Sequence, residues 1–144
     1  MTLHRGGLQR VSPYVWPSLT VKALLFHEAS TAAPNVDDVY VSSVVPASNE
    51  LVNTGYSRVT LTGLASTYNT TTNLWELEAD DVDFGALTGD TLTTGVTGWA
   101  IYAFVTNDAD SILIRSYTGA ANTLTGDHVR IAWTGGIVAT VAEA

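Results

Sequence analysis

The chain contains no cysteine. That excludes disulfides, thiolate-held zinc and thiol nucleophiles together. A chain of 144 residues must then stabilise itself by burial alone. A globule of this size removes about 68–70% of its unfolded surface from water, enough for a core without staples, and the length suits one domain. Cations are scarce as well. Six Lys and Arg stand against 14 Asp and Glu, giving a net charge of −8 and a pI near 4.5. Nucleic-acid binding draws its affinity from clustered cations that release counterions, so no nucleic-acid partner is expected. No apolar run reaches the ~20 residues of a membrane span. The N-terminal arginines are not followed by the ~7–15-residue apolar core of a signal peptide. The sequence therefore gives no expectation of a membrane or secreted role.

Helical periodicity is also hard to find. The residues that are abundant are Thr, Val, Ile and aromatics, which suit a pleated, half-buried surface. Candidate strands are Thr20–His27, Val36–Val45, Ser57–Thr62, Leu74–Ala79, Gly98–Thr106, Ser111–Tyr117, His128–Trp133 and Ile137–Val141. Turn chemistry separates them, as in Asn53-Thr54-Gly55, Asn69 to Asn73, Asn107 to Asp110 and Gly135-Gly136. The expectation is an all-β fold, an antiparallel β-sandwich of about eight short strands over residues 19–144. One helical turn is expected near Ala79–Phe84, capped by Asp80, and a loop from Gly85 to Gly98.

Residues 1–18 read as an extended N-terminal arm. Pro13 and Pro17 forbid a helix interior, yet Val11, Tyr14, Val15 and Trp16 are too apolar for a solvated tail. Charge divides in the same way. Arg5, Arg10 and Lys22 precede the first acid, Glu28, whereas Glu76, Glu78, Asp80, Asp81, Asp83 and Asp90 crowd together. Opposite charges on one chain suit contact between unlike partners or between copies. The arm is expected to order against a partner through Arg5, Arg10, Tyr14 and Trp16, the alternative being that it folds back on its own domain.

The strand from Gly98 to Thr106 is apolar on both faces. Trp99, Ile101, Ala103 and Val105 point one way; Ala100, Tyr102 and Phe104 point the other. Such a strand is covered on both sides. The second face, Ala100, Tyr102 and Phe104, is expected to be covered by the arm, a loop or another subunit. A homo-oligomer built on that face follows from the last choice.

Candidate chemistry is thin. The carboxylates from Glu76 to Asp83 have the hard oxygens that calcium prefers, but no turn glycine lies among Asp80, Asp81 and Asp83, so a solvated face or a cap is the expected role. His4, His27 and His128 lack a nucleophile motif around them, and His128, beside Arg130, is expected to pair with an acid. No catalytic residue, metal or cofactor is assigned. Trp75, Trp99 and Trp133 are expected in the core. The rival is a carbohydrate-binding module, which would expose at least two rings in one shallow groove.

The run Tyr68 to Phe84 carries a resemblance. Tyr68, Asn73, Trp75, Ala79, Asp80, Asp81, Val82 and Phe84, then Ala100, Ile101 and Tyr102, then Asn107 to Asp110, fall in an order that resembles small tailed-bacteriophage virion proteins. The likeness extends over roughly Val21 to Val138. It implies a non-enzymatic structural protein of the virion, a head decoration or cement protein assembled in the host cytoplasm. Its partner would be the major capsid protein or another virion protein on the capsid exterior. It further implies a homo-oligomer, a trimer by preference. The alternative within the virion is a tail or head-fibre component.

Overall fold

The computed structural model describes residues 2–4, 11–27, 34–44, 49–90 and 93–142. Among them the chain is all-β and antiparallel, with ten strands in three sheets. The five-stranded sheet is built on β2 (Val21–His27), β7 (Gly95–Ala103) and β8 (Ile112–Thr123). Two short strands flank them, β1 (Thr2–Leu3) and β3 (Val59–Thr60), giving the order β1-β8-β7-β2-β3. A second sheet orders β10 (Ile137–Ala142), β5 (Leu74–Glu78) and β4 (Ala65–Asn69). The third pairs β6 (Val82–Thr88) with β9 (Thr125–Ile131). The larger core draws on all three sheets: Val21, Leu25 and Ile101 meet Leu77 and Val138, and also Phe84, Leu87 and Ile131. The five-stranded sheet is thus one layer of a sandwich, faced by the two smaller sheets.

The centre of the first layer follows from composition. Val21, Ala23, Leu24, Leu25 and Phe26 are each at most 1% exposed. β2 is therefore buried on both faces, as its apolar run from Ala23 to Phe26 requires. It registers on β7 from Val21 opposite Ala103 to Leu24 opposite Ala100. That places Leu24, Phe26, Ala100 and Tyr102 on the face away from the main core. There they form a second cluster with Leu113, Val41 and Val44.

This cover corrects the strand expected at Val36–Val45. Val41–Val44 is a single helical turn, α1. The β-branched run reads as a strand, but a turn of helix brings Val41 and Val44 to one side, three residues apart. Both are then buried over Tyr102. The chain therefore covers the second face of β7 with its own α1, and the subunit-covered face is not what the structure shows.

The helical turn expected at Ala79–Phe84 is replaced by extended chain that crosses between sheets, with β6 starting at Val82. The loop expected from Gly85 to Gly98 is shorter, because β6 runs to Thr88 and β7 begins at Gly95. Strand β4, hidden in a Thr-rich stretch, pairs with β5 from Ala65 opposite Glu78 to Asn69 opposite Leu74. The turn between them is set by asparagines. The Asn69 side-chain oxygen accepts from the Thr71 and Thr72 amides, and Asn73 takes the left-handed conformation at φ 55°, which asparagine tolerates.

The described part of the arm belongs to the body. β1 pairs with β8, Thr2 opposite Ser116. Val11 and Trp16 are buried in the main core at 2% and 0% exposure. Trp16 opens a 3-10 turn, Trp16–Ser18, that follows Pro13 and carries Pro17, where a missing amide proton costs nothing. No helix among the described residues is long and apolar enough to cross a membrane.

Candidate functional site

The residues expected to meet a partner separate into different environments. Arg5 and Arg10 lie outside the described residues. Trp16 is buried in its own chain, and its indole Nε1 donates to the Glu78 carbonyl at 2.8 Å. It is a clasp between arm and second sheet, not an outward anchor. Ala100 and Tyr102 are fully buried beneath α1, so they too are withdrawn from any partner surface. Phe104 is half-buried against the same cluster, with the Lys22 ammonium 3.9 Å above its ring. Tyr14 alone of the described set stands out, at 75% exposure. Its ring leans on Trp75 at 5.3 Å, and Tyr68 flanks the same indole at 5.4 Å. Val15, next in the chain, is exposed as well. These groups form an aromatic patch at one end of the sandwich.

Of the tryptophans expected in the core, Trp133 is buried, whereas Trp75 and Trp99 are only partly so. The most buried tryptophan is the arm's Trp16.

The acids between Asp80 and Asp83 are joints of the fold. Asp80 accepts from the Thr62 hydroxyl at 2.9 Å and packs against Gly63, whose φ is 64° and where a Cβ would strike the carboxylate. The Asp80 carbonyl receives the Trp133 indole N–H, and the Asp81 carboxylate receives the Trp133 amide. Trp133 is thereby seated at the crossing between the sheets. Asp83 takes the Gly85 amide, His128 Nδ1 and Arg130 Nε. The Gly85 amide above all, with His128 and Arg130, lowers its carboxyl to about 2. His128 does pair with an acid, as its setting beside Arg130 suggested. No group of three or more His, Cys, Asp or Glu that could hold a metal ion occurs among the described residues.

The densest ionic cluster centres on Arg58, which sequence reasoning missed. Its guanidinium uses all five N–H donors. Nε and Nη2 hold the Glu50 carboxylate at 2.7 and 2.6 Å. Nη1 and Nη2 hold Asp108 at 2.5 and 2.8 Å, and Nη1 also reaches the Tyr102 hydroxyl at 3.0 Å. Two bidentate forks of this kind are the strong form of the ion pair. Asp108, and then Glu50, raise the Arg58 pKa further above its ordinary value. Hydrogen bonds from Arg58 hold Asp108 below the usual carboxylate range. Glu50 accepts in turn from the Tyr56 hydroxyl, which itself receives the Leu25 amide. Burial pushes the Tyr56 pKa upward. The cluster pins the turn after β7 to the chain before β3. The guanidinium has no N–H left over for a ligand. A signal was present: Arg58 is the only cation between Lys22 and Arg115 in an acidic chain.

The turn itself is self-sufficient. The Asn107 side-chain oxygen accepts the Ala109 and Asp110 amides, and its amide donates to Asp110. Across the layers, Arg115 Nη1 donates to the Val138 carbonyl, and burial lowers the Arg115 pKa.

Comparison with known proteins adds no relative: no family model, curated protein or solved structure matches the chain.

Proposed function

We propose that this chain is a non-enzymatic structural protein of a tailed-phage virion, a decoration protein docked on the outer face of the major capsid protein lattice. The observation that supports this reading most is where the polar groups of the resembling residues go. Asp80 and Asp81 are engaged in fixing Thr62, Gly63 and Trp133. Asn107 closes its own turn, and Asp108 is held by Arg58. The pattern that carries the resemblance thus encodes a rigid shape.

Docking is assigned to the exposed Tyr14 and Val15, where the Tyr14 ring backs onto Trp75 and Trp75 onto Tyr68. Apolar burial contributes roughly 25 cal/mol per Å² there, less the costs of association. Repetition on a lattice makes modest single contacts sufficient. The trimer belongs to the same proposal and rests on the resemblance, since the β7 face is already covered within the chain.

The test is an immunoblot of gradient-purified particles of the encoding phage, separated into heads and tails. The chain is expected in the head fraction. Its absence from particles overturns the reading, and its presence in tails alone transfers it to the tail or fibre alternative.

A further inference from the structure

The sandwich does not close completely. Between β9 and the adjoining ends of β7 and β8 lies an open cleft of about 370 Å³. This is within the range of small-molecule sites, about 300–1,000 Å³. Its apolar floor includes Leu25, Val96, Leu124 and Ile131. One wall is aromatic. Trp99 and Tyr117 are opposite each other across β7 and β8, with ring centroids 6.3 Å apart and planes 29° from parallel. Trp133 braces Trp99 edge-on at 5.3 Å. Both wall rings share the core-facing side of the sheet with Ile101 and Leu25, because Trp99 is opposite Leu25 on β2. Yet Tyr117 is 42% exposed. A ring aimed at the interlayer space and left uncovered is costly, and a ligand that covers it recovers that energy.

Two glycines shape this wall. A Cβ at Gly119 would meet the Tyr117 hydroxyl at 2.5 Å and its ring at 3.0 Å, and a Cβ at Gly98 would strike the Tyr117 carbonyl. Glycine at both positions lets the phenol lie along the strand and lets β8 approach β7. The opposite wall is polar. Alternation along β9 sends Asp127 to the side of Val129 and Ile131, and Thr125 donates its hydroxyl to Asp127 at 2.6 Å. Asn122 completes the rim with an amide. His128 and Arg130, also at the rim, are held by Asp83.

We propose that this cleft binds a neutral saccharide, with the C–H face of one pyranose ring lying on the Tyr117–Trp99 pair. The pairing of a ring platform with an amide, a hydroxyl and a carboxylate is the chemistry that matches a sugar's apolar face and hydroxyl rim together. Neutrality follows from charge: Asp127 faces the cleft, the neighbouring Arg130 is already paired with Asp83, and the chain carries −8 overall. An anionic sugar would meet repulsion. The proposal stands on the cleft and is independent of virion location.

The full chain is to be screened on an array of neutral and anionic glycans. The best neutral hit is then titrated by tryptophan fluorescence, which Trp99 reports directly. Tyr117→Ala and Asp127→Ala are expected to weaken that hit about tenfold or more without loss of fold by circular dichroism. Val105→Ala, at an exposed site outside the cleft, is expected to bind as the parent does. Binding of no glycan, of anionic glycans only, or equal binding by the Tyr117 and Asp127 variants overturns the proposal. Self-association abolished by Tyr117→Ala would assign the cleft to a second copy and overturn it likewise.

Discussion

Replacing Trp16 by alanine tests whether the N-terminal segment is part of the body. The side chain is 0% exposed and donates one hydrogen bond to the Glu78 carbonyl. A buried indole covers on the order of 200 Å², worth about 5 kcal/mol at ~25 cal/mol per Å². Truncations of this type cost ~3–5 kcal/mol in practice, because the site partly collapses. The lost hydrogen bond adds about 1 kcal/mol. Trp16→Ala should therefore cost ~4–6 kcal/mol, a large share of the ~5–15 kcal/mol that holds a domain together. At about 3 °C per kcal/mol for a chain of this size, the Tm falls by about 12–18 °C. Trp16→Phe keeps most of the area and loses the hydrogen bond, so a drop of about 2 kcal/mol is expected. Urea unfolding followed by far-UV circular dichroism measures both. Deletion of residues 1–17, which a free arm would tolerate, should unfold the domain or nearly so. A Trp16→Ala cost below ~1 kcal/mol, or a deletion that melts like the parent, would refute the clasp.

Arg58→Ala leaves Glu50 and Asp108 facing each other without their shared cation; the expected cost is about 2–3 kcal/mol, below the ~3–5 of a fully buried pair because the carboxylates retain some water, and urea unfolding reads it. His4 is buried, its Nε2 meeting the Ser116 hydroxyl at 2.8 Å, and burial lowers its pKa from 6.5. The unfolded chain then binds the extra proton below pH 6.5, so stability is full above that value and falls as pH drops through the window beneath it. His4→Gln should flatten that part of the pH profile of Tm, and an unchanged profile would contradict the assignment. Phe104→Asp sets a carboxylate against the cluster under α1, which should destabilise the domain by ~2–3 kcal/mol in thermal melts while leaving its mass by light scattering unaltered.

The layers were legible because burial on both faces leaves a plain trace. The two apolar faces of the Gly98–Thr106 run announced a central strand, and the Asn107–Asp110 turn named its own hairpin, whereas β4, on the far side of the Asn69–Asn73 turn, went unread. The cover over the second face was not legible. Val41 and Val44 fit a strand or one turn of helix equally well by type, and only the position of Tyr102 decides between them. The acids misled for a related reason. Asp80 ahead of Val82 and Phe84 looks like a helix cap, but the Thr62 hydroxyl that donates to it and the Gly63 corner it packs against are remote in sequence. Trp16 illustrates the same limit: its composition marked it as an ordering residue, and its partner, the Glu78 carbonyl, carries no side-chain signal. The aromatic cleft depends on Tyr117 and on glycines at 98 and 119, none of which stands out in a linear reading.

The proposed role is docking on the capsid. The most direct measurement mixes the purified chain with empty heads that lack it and follows both by sedimentation. Saturable co-sedimentation with heads is expected, weakened by Tyr14→Asp in a variant that melts like the parent. A chain that stays in the supernatant at every concentration, or that travels only with isolated tails, would contradict it.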